Sequence, residues 1–406
     1  MSGTLLAPVI KVLGSLSKSQ SDGIAILQRL AEIMRTTGGS TDVSTCYCTF
    51  ISPDMAAQSD TKPGQSQMAG PEVLPAHNGS AMVAHLPGSA HDSISEFPRV
   101  NTFFEEAVAL LSLSTLFGLV WLGPWLGMAF LYMVFVQQSH FALLVCALLF
   151  AETFIPVGQV WPAFRHHWLW DTWRRYFQLR VITPPLPYLD PGKQYLFAHF
   201  PHATFPMGSW LSMPLCDAPE TGLPTGTKGA IASVLLKLPL LRHVYAWMGC
   251  VPADYHVMME QLQTTSIGLV PEGVAGIFLG ARNGQERVFV RCRKGFIRLA
   301  MQSGTDIVPI YNLGQSYMLN FWGSCRLSRR LRAAVGIFWG RWGLPIPRHC
   351  PIITVVGTPV RVKQNPEPTP EEIAKVQERL LAALVALFDQ HKHLMPGWEN
   401  KTLEIV

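Results

Sequence analysis

Residues 195–208 read YLFAHFPHATFPMG, an apolar strand that runs into a histidine set between two prolines. Pro201 has a fixed φ and restricts Phe200 before it, so the backbone entering His202 is held more firmly than an ordinary loop. The same design recurs at 266–272, SIGLVPE, where an apolar strand closes on a proline turn and delivers Glu272. Working outward, strands are expected at 195–198, 266–270, 306–311 and 352–356. Helices are expected at 228–237, 240–248, 255–263 and 294–302. A final helix carries its own start signal: Thr369 as N-cap, Pro370 at the first position, and Glu372 completing a capping box. Its amphipathic run continues to about Lys392. Strands alternating with helices indicate an α/β layer structure.

Two apolar runs precede that domain. Residues 107–136 carry no charge, and residues 141–157 carry one, Glu152. At 1.5 Å per residue these would extend ~45 Å and ~25 Å, against a hydrocarbon core of ~30 Å. The first is too long for one straight span, and Gly123-Pro124 offers a kink. Only residues 137–140 separate the two runs, so a tight hairpin with both ends on one side is expected. Arg165, Arg174, Arg175 and Arg180 follow and place that side in the cytosol by the positive-inside rule. Glu152 is expected near the interface or against protein rather than in lipid. The division is therefore a disordered region 1–100, a transmembrane or re-entrant helical hairpin 101–160, and a cytosolic domain 161–406. Within the first region, residues 24–34 have helical spacing, and residues 36–99 have the Ser, Gly, Pro and Thr content of a linker.

Charge placement sharpens the picture. The net charge is +5, but no Asp or Glu occurs from Ile307 through Pro366, where eight Arg and Lys residues fall. Trp322, Phe338, Trp339 and Trp342 are interleaved with them, a pattern suited to an anionic membrane surface, with no nucleic-acid partner required. Eight scattered cysteines lack any CxxC or metal-ligand spacing and read as reduced thiols, with no bound metal. No secretory signal is legible at the start of the chain. Its Ser-rich, acid-poor composition is also compatible with a transit peptide.

Three groups could carry chemistry. A neutral imidazole at His202 could take a proton from a hydroxyl as that oxygen attacks a carbonyl. Glu272 could orient that imidazole or bind a substrate hydroxyl, and His199 is assigned to the packing of the strand. Arg291, Arg293, Lys294, Gly295 and Arg298 form a basic turn at an expected helix start, where backbone N–H groups and the dipole favour phosphate.

The order of these blocks resembles the type-2 diacylglycerol acyltransferase family, which includes monoacylglycerol and wax-alcohol acyltransferases. Phe200-Pro201-His202-Ala203 is similar to its His-Pro-His-Gly block. Pro239 to Arg242 resembles its Pro-x-x-Arg block, and Arg293-Lys294-Gly295-Phe296 its Arg-Lys-Gly-Phe block. Residues 308–311, Gly314-Gln315, 354–359 and 403–405 continue the likeness. Phe200 stands where the family has its first histidine, and Pro271-Glu272-Gly273 replaces a Pro-Gly-Gly turn and instead resembles a block of the glycerol-phosphate acyltransferases. The resemblance implies an acyltransferase-like sheet flanked by helices and anchored by the hairpin. It implies esterification of diacylglycerol by acyl-CoA to give triacylglycerol, with His202 as general base and the basic turn holding the coenzyme A phosphates. Monoacylglycerol or a long-chain alcohol are alternative acceptors, and a non-catalytic membrane or lipid-droplet anchor is the alternative class. Acyl-CoA would be a co-substrate, with no bound cofactor. Partners would be the two substrates and membrane lipid, with a homo-oligomer left open. The implied location is the endoplasmic reticulum membrane with both termini cytosolic, with the lipid droplet and plastid envelope as alternatives.

Overall fold

The computed structural model describes residues 93–97, 102–218, 221–279, 285–331 and 334–406. Strand β1 (Ser93–Glu96) precedes a long apolar helix α1 (Phe103–Phe135) and its partner α2 (His140–Glu152). Helices α3 (Pro162–Arg165) and α4 (Trp168–Tyr176) lead into β2 (Arg180–Thr183), β3 (Tyr195–Phe200) and α5 (Met207–Ser212). Next come β4 (Lys228–Ile231), α6 (Leu241–Met248), β5 (Cys250–Pro252), α7 (Tyr255–Gln261), β6 (Ile267–Leu269), α8 (Val274–Ile277) and β7 (Glu286–Val288). The chain continues through α9 (Gly295–Ser303), β8 (Asp306–Leu313), β9 (Asn320–Gly323), α10 (Cys325–Leu331), β10 (Gly336–Trp339), β11 (Ile353–Val356), α11 (Pro370–His391) and β12 (Leu403–Ile405).

Eight strands form one mixed sheet in the order β1-β2-β11-β8-β3-β6-β4-β5. The five from β8 to β5 run parallel, and β3 lies among them between β8 and β6. Alternation along β3 sorts its side chains. Leu196, Ala198 and Phe200 enter a core with α9 and α11, whereas Tyr195 and Phe197 enter a second core with α1, α4 and α5. The result is helices on both faces of a largely parallel sheet.

The strand expectations at 195–198, 266–270, 306–311 and 352–356 correspond to β3, β6, β8 and β11 within a few residues. The helix expected at 228–237 is overturned. Lys228–Ile231 is β4, paired with both β5 and β6, and a single 3₁₀ turn, Leu235–Lys237, follows. Sheet pairing outweighs the helical spacing there, as tertiary context does for short segments. Ser93–Glu96, assigned to the linker by composition, pairs antiparallel with β2. The short helix expected at 24–34, with the rest of residues 1–92, lies outside the described residues.

Helix α1 runs unbroken through Pro124. Ala109, Leu113 and Phe117 are buried against the domain, while Leu119, Trp125, Leu126, Leu131 and Phe135 are exposed. By length and composition α1 could cross a membrane, and α2 is shorter. The two helices pack together across the short link 136–139. Glu152 faces protein, its Oε1 2.7 Å from His243 Nε2 on α6, and Arg242 donates to the Thr153 carbonyl. Two of the four arginines used to orient the hairpin are structural: buried Arg165 pairs with Asp217 at 2.9 Å, and buried Arg174 with Asp171 at 2.6 Å.

The capping box forms as the sequence implies, with Thr369 Oγ1 accepting from the Glu372 N–H and Glu372 accepting from the Thr369 N–H. Thr369→Ala is expected to lower unfolding stability by about 1 kcal/mol, read as a shifted thermal midpoint in detergent with the fold otherwise intact.

Candidate active site

Register brings the two proline turns together. Adjacent parallel strands β3 and β6 pair Ala198 with Leu269, so the residues just past each strand end, His202 and Glu272, emerge side by side. They lie at the carboxyl ends of central parallel strands, where open α/β sheets place their ligands.

The Glu272 side chain is fully buried, and both carboxylate oxygens are used. Oε2 accepts from the backbone N–H of His202, and Oε1 accepts from the Phe289 N–H at 2.8 Å. The sequence expectation for Glu272 is therefore corrected. Its carboxylate holds the main chain of His202 rather than the imidazole, and full burial keeps it from a substrate hydroxyl. Burial pushes its pKa up to about 7 despite the two N–H donors and the nearby Arg293, with buried Glu286 adding a smaller upward push.

The imidazole is oriented by its own loop. His202 Nδ1 lies 2.9 Å from the Ala203 carbonyl, which can only accept, so Nδ1 carries the proton and Nε2 keeps its lone pair. Desolvation lowers the His202 pKa below the ordinary 6.5, which favours the neutral ring. Ala203 adopts φ +52°, the left-handed region that suits glycine, and glycine is the family residue at that position of the block. Phe200, in the place of the family's first histidine, is fully buried in the core on the α9 and α11 side.

Neighbouring elements fix this loop. Asn312 Nδ2 donates to the Phe200 carbonyl at 3.1 Å, and Gln315 bridges the Pro201 carbonyl and the Gly208 N–H, each at 2.6 Å. Asn312 Oδ1 in turn accepts from Thr354 Oγ1. Gly276 on α8 lets His202 approach closely, since a Cβ there would come within 2.7 Å of His202 Cβ. Asn312 and Gly276 carry no sequence signal for this role. Thr354 and Gln315 appeared only as parts of motif blocks.

The basic turn meets the site at one point. Arg293 Nη2 donates to the Glu272 carbonyl at 3.0 Å, with its guanidinium 5.2 Å from the Phe289 ring centroid. Arg291 and Lys294 are exposed, the Arg291 Nε donating to the Ile405 carbonyl at 3.1 Å. Gly295 opens α9, and Arg298 follows one turn later, half-buried. Among the described residues no cluster of three or more His, Cys, Asp or Glu has metal-binding geometry. Chemically, the arrangement offers an imidazole held through Nδ1, with Nε2 as its acceptor nitrogen, and one arginine of the basic turn bonded to the Glu272 carbonyl.

Comparison with known proteins bears on the family of the chain. Diacylglycerol O-acyltransferase 2 of Bos taurus is 27% identical over 259 residues, 58% of this chain and 71% of that protein. The Homo sapiens protein of the same name is also 27% identical, the match spanning 66% of its length. Homo sapiens 2-acylglycerol O-acyltransferase 3 is 25% identical over 67% of this chain and 86% of that one. The solved 1-acyl-sn-glycerophosphate acyltransferase PlsC of Thermotoga maritima superposes with a TM-score of 0.32 at 12% identity. That overlap covers 63% of this chain and 93% of the other, a likeness too slight to build on. The family model described as Diacylglycerol acyltransferase matches residues 131–406, well over half of the sequence, and the chain belongs to that family.

Proposed function

We propose that this protein transfers an acyl group from acyl-CoA to the free hydroxyl of diacylglycerol, forming triacylglycerol, with His202 as general base. The observation that carries this reading is the contact of His202 Nδ1 to the Ala203 carbonyl, which leaves Nε2 as the acceptor nitrogen. The acceptor hydroxyl would donate its proton to Nε2 as its oxygen attacks the thioester carbonyl. Collapse of the tetrahedral intermediate breaks the C–S bond, and the protonated imidazole returns the proton to the leaving thiolate. No covalent enzyme intermediate is needed. Glu272 acts as a positioning residue through the His202 main chain. Arg291, Arg293, Lys294 and Arg298, at the start of α9, would receive the coenzyme A phosphates.

The membrane part of the proposal rests on how α1 and α2 meet the domain. Both the buried start of α1 and the end of α2 at Glu152 dock on the same α/β unit, so the hairpin enters and leaves on the domain's side. Residues 118–135 would reach about 27 Å at 1.5 Å per residue, close to the hydrocarbon thickness of about 30 Å, which describes a re-entrant hairpin. Trp322 and Trp342 are each 70% exposed, and the Arg341 guanidinium lies 4.3 Å from the Trp342 ring centroid. Phe338 contacts Phe117 of α1, so this basic and aromatic edge sits beside the root of the hairpin, at interfacial depth. An endoplasmic reticulum location with cytosolic termini fits that arrangement.

Membranes containing the protein should convert labelled oleoyl-CoA and diacylglycerol into labelled triacylglycerol. Label confined to a monoacylglycerol or fatty-alcohol product would reassign the acceptor, and no ester with any acceptor would favour the anchor. His202→Ala should reduce turnover roughly 100- to 10,000-fold while leaving membrane insertion intact. The pH profile follows from the two shifts. Neutral His202 is required and its pKa lies below 6.5, so its acid limb falls below that value; a second rise through about 7 reports ionisation of Glu272. Glu272→Gln places an amide nitrogen against an N–H donor, so turnover should fall roughly 10- to 100-fold, with the limb near 7 removed. Ala203→Gly relieves the left-handed strain and should raise the unfolding midpoint, by up to about 1 kcal/mol of stability, with activity retained. Trp322→Ala combined with Trp342→Ala should weaken activity on vesicle-borne acceptor more than activity in mixed micelles.

A further inference from the structure

An apolar cavity of about 90 Å³ lies between the sheet and the segment that follows the His202 loop. Its floor is the face of β3, β4 and β6 opposite the α9 and α11 core, and its roof is α5 with the turn after it. It reaches the carboxyl ends of the strands, since His199 precedes His202 by three residues and Val270 precedes Glu272 by two. Gly229 and Gly268 pair in register across β4 and β6 on this floor, positions where a strand interior ordinarily carries a packing side chain. A Cβ on Gly268 would stand 3.3 Å from His199 Nε2, and one on Gly229 would stand 3.0 Å from Met213 Sδ. The floor is thus kept low where the cavity needs depth.

The walls are not wholly apolar. His199 Nδ1, Ser209 Oγ and Trp210 Nε1 are buried without a hydrogen-bond partner, and all three side chains line this one cavity. Buried polar atoms in native structures almost always have partners, so three orphans around one space call for a ligand that supplies them. A bare hydrocarbon chain would leave every one unsatisfied. The indole N–H can only donate and the hydroxyl can donate, while His199, its pKa lowered by burial to about 4, is neutral and brings one further N–H. The matching ligand is apolar overall and carries several acceptor oxygens. An acylglycerol, with ester carbonyls between hydrocarbon chains, has that chemistry.

We propose that this cavity seats the ester-bearing core of the acylglycerol acceptor, with Trp210, Ser209 and His199 donating hydrogen bonds to its ester oxygens and so selecting acylglycerols over plain alcohols. The assignment rests on the acyltransferase reading above and deepens it. It makes His199 a specificity determinant rather than a packing residue of the strand.

The test compares two acceptors of equal chain length, 1,2-diacylglycerol and 1,2-dialkylglycerol, which lacks the ester carbonyls. Wild-type protein should favour the diacyl form about tenfold or more in kcat/KM. Trp210→Phe, Ser209→Ala and His199→Leu should each cut the diacyl-to-dialkyl ratio by roughly 3- to 10-fold, Ser209→Ala being the variant least able to disturb folding. No ester preference in the wild type, or equal slowing of both acceptors by the variants, overturns the proposal; equal slowing would place the trio on the thioester or in the fold. A second readout is independent of turnover. A diazirine-bearing diacylglycerol in nanodiscs should label peptides within residues 206–231, and diacylglycerol should compete better than dialkylglycerol. Labelling there in a protein that makes no ester would sink the catalytic reading and leave the cavity assignment standing. Labelling elsewhere would sink the cavity assignment whatever the turnover.

Discussion

The hydrogen bond from the His202 main-chain N–H to the buried Glu272 carboxylate organises the centre of this structure. It joins the ends of two adjacent parallel strands, and it requires a carboxylate inside protein, where ionisation is disfavoured. Two backbone donors, from His202 and Phe289, and the Arg293 guanidinium offset part of that penalty, which leaves the pKa near 7 instead of far higher. The group is therefore poised: it grips best when ionised, and it is half-protonated close to neutral pH. Arg293 links the same corner to the basic start of α9, so the sites read for proton transfer and for phosphate share one scaffold.

Strand alternation explains how so short a motif serves several purposes. Phe200 turns to the α9 and α11 core and supports the loop by packing, whereas His199 turns to the opposite face and lines the cavity. His202 lies beyond the strand end, free of that alternation. The loss of an imidazole at Phe200 therefore removes nothing from the Nε2 geometry of His202, because that position is buried on the far side of the sheet. Within this block Ala203 is the departure that strains its own backbone, since its φ of +52° disfavours any side chain.

Much of this was legible in the sequence. Strand-then-proline patterns located His202 and Glu272, and apolar runs located α1 and α2. The capping box at Thr369 was complete in four residues. Three things were not legible. The β4 segment, KGAI, has no strand signature by itself and becomes a strand because β5 and β6 flank it. The role of Glu272 depended on which atom of His202 its carboxylate reached, a fact of three-dimensional register. Asn312 and Gln315 hold the His202 loop through backbone carbonyls, an interaction to which almost any polar residue in a sequence could be assigned. The pairing of Arg165 and Arg174 was hidden for a related reason, since composition does not distinguish a surface arginine from one buried on Asp217 or Asp171.

The central claim is that the protein fixes His202 as the Nδ1–H tautomer, so that Nε2 is the base. The most direct test is ¹⁵N NMR of histidine-labelled protein in nanodiscs at neutral pH, with the His202 signals assigned by difference from His202→Gln. A protonated Nδ1 paired with an unprotonated Nε2 is the predicted result. A proton on Nε2 in the resting protein would contradict the account, because that nitrogen could not then accept one from a substrate.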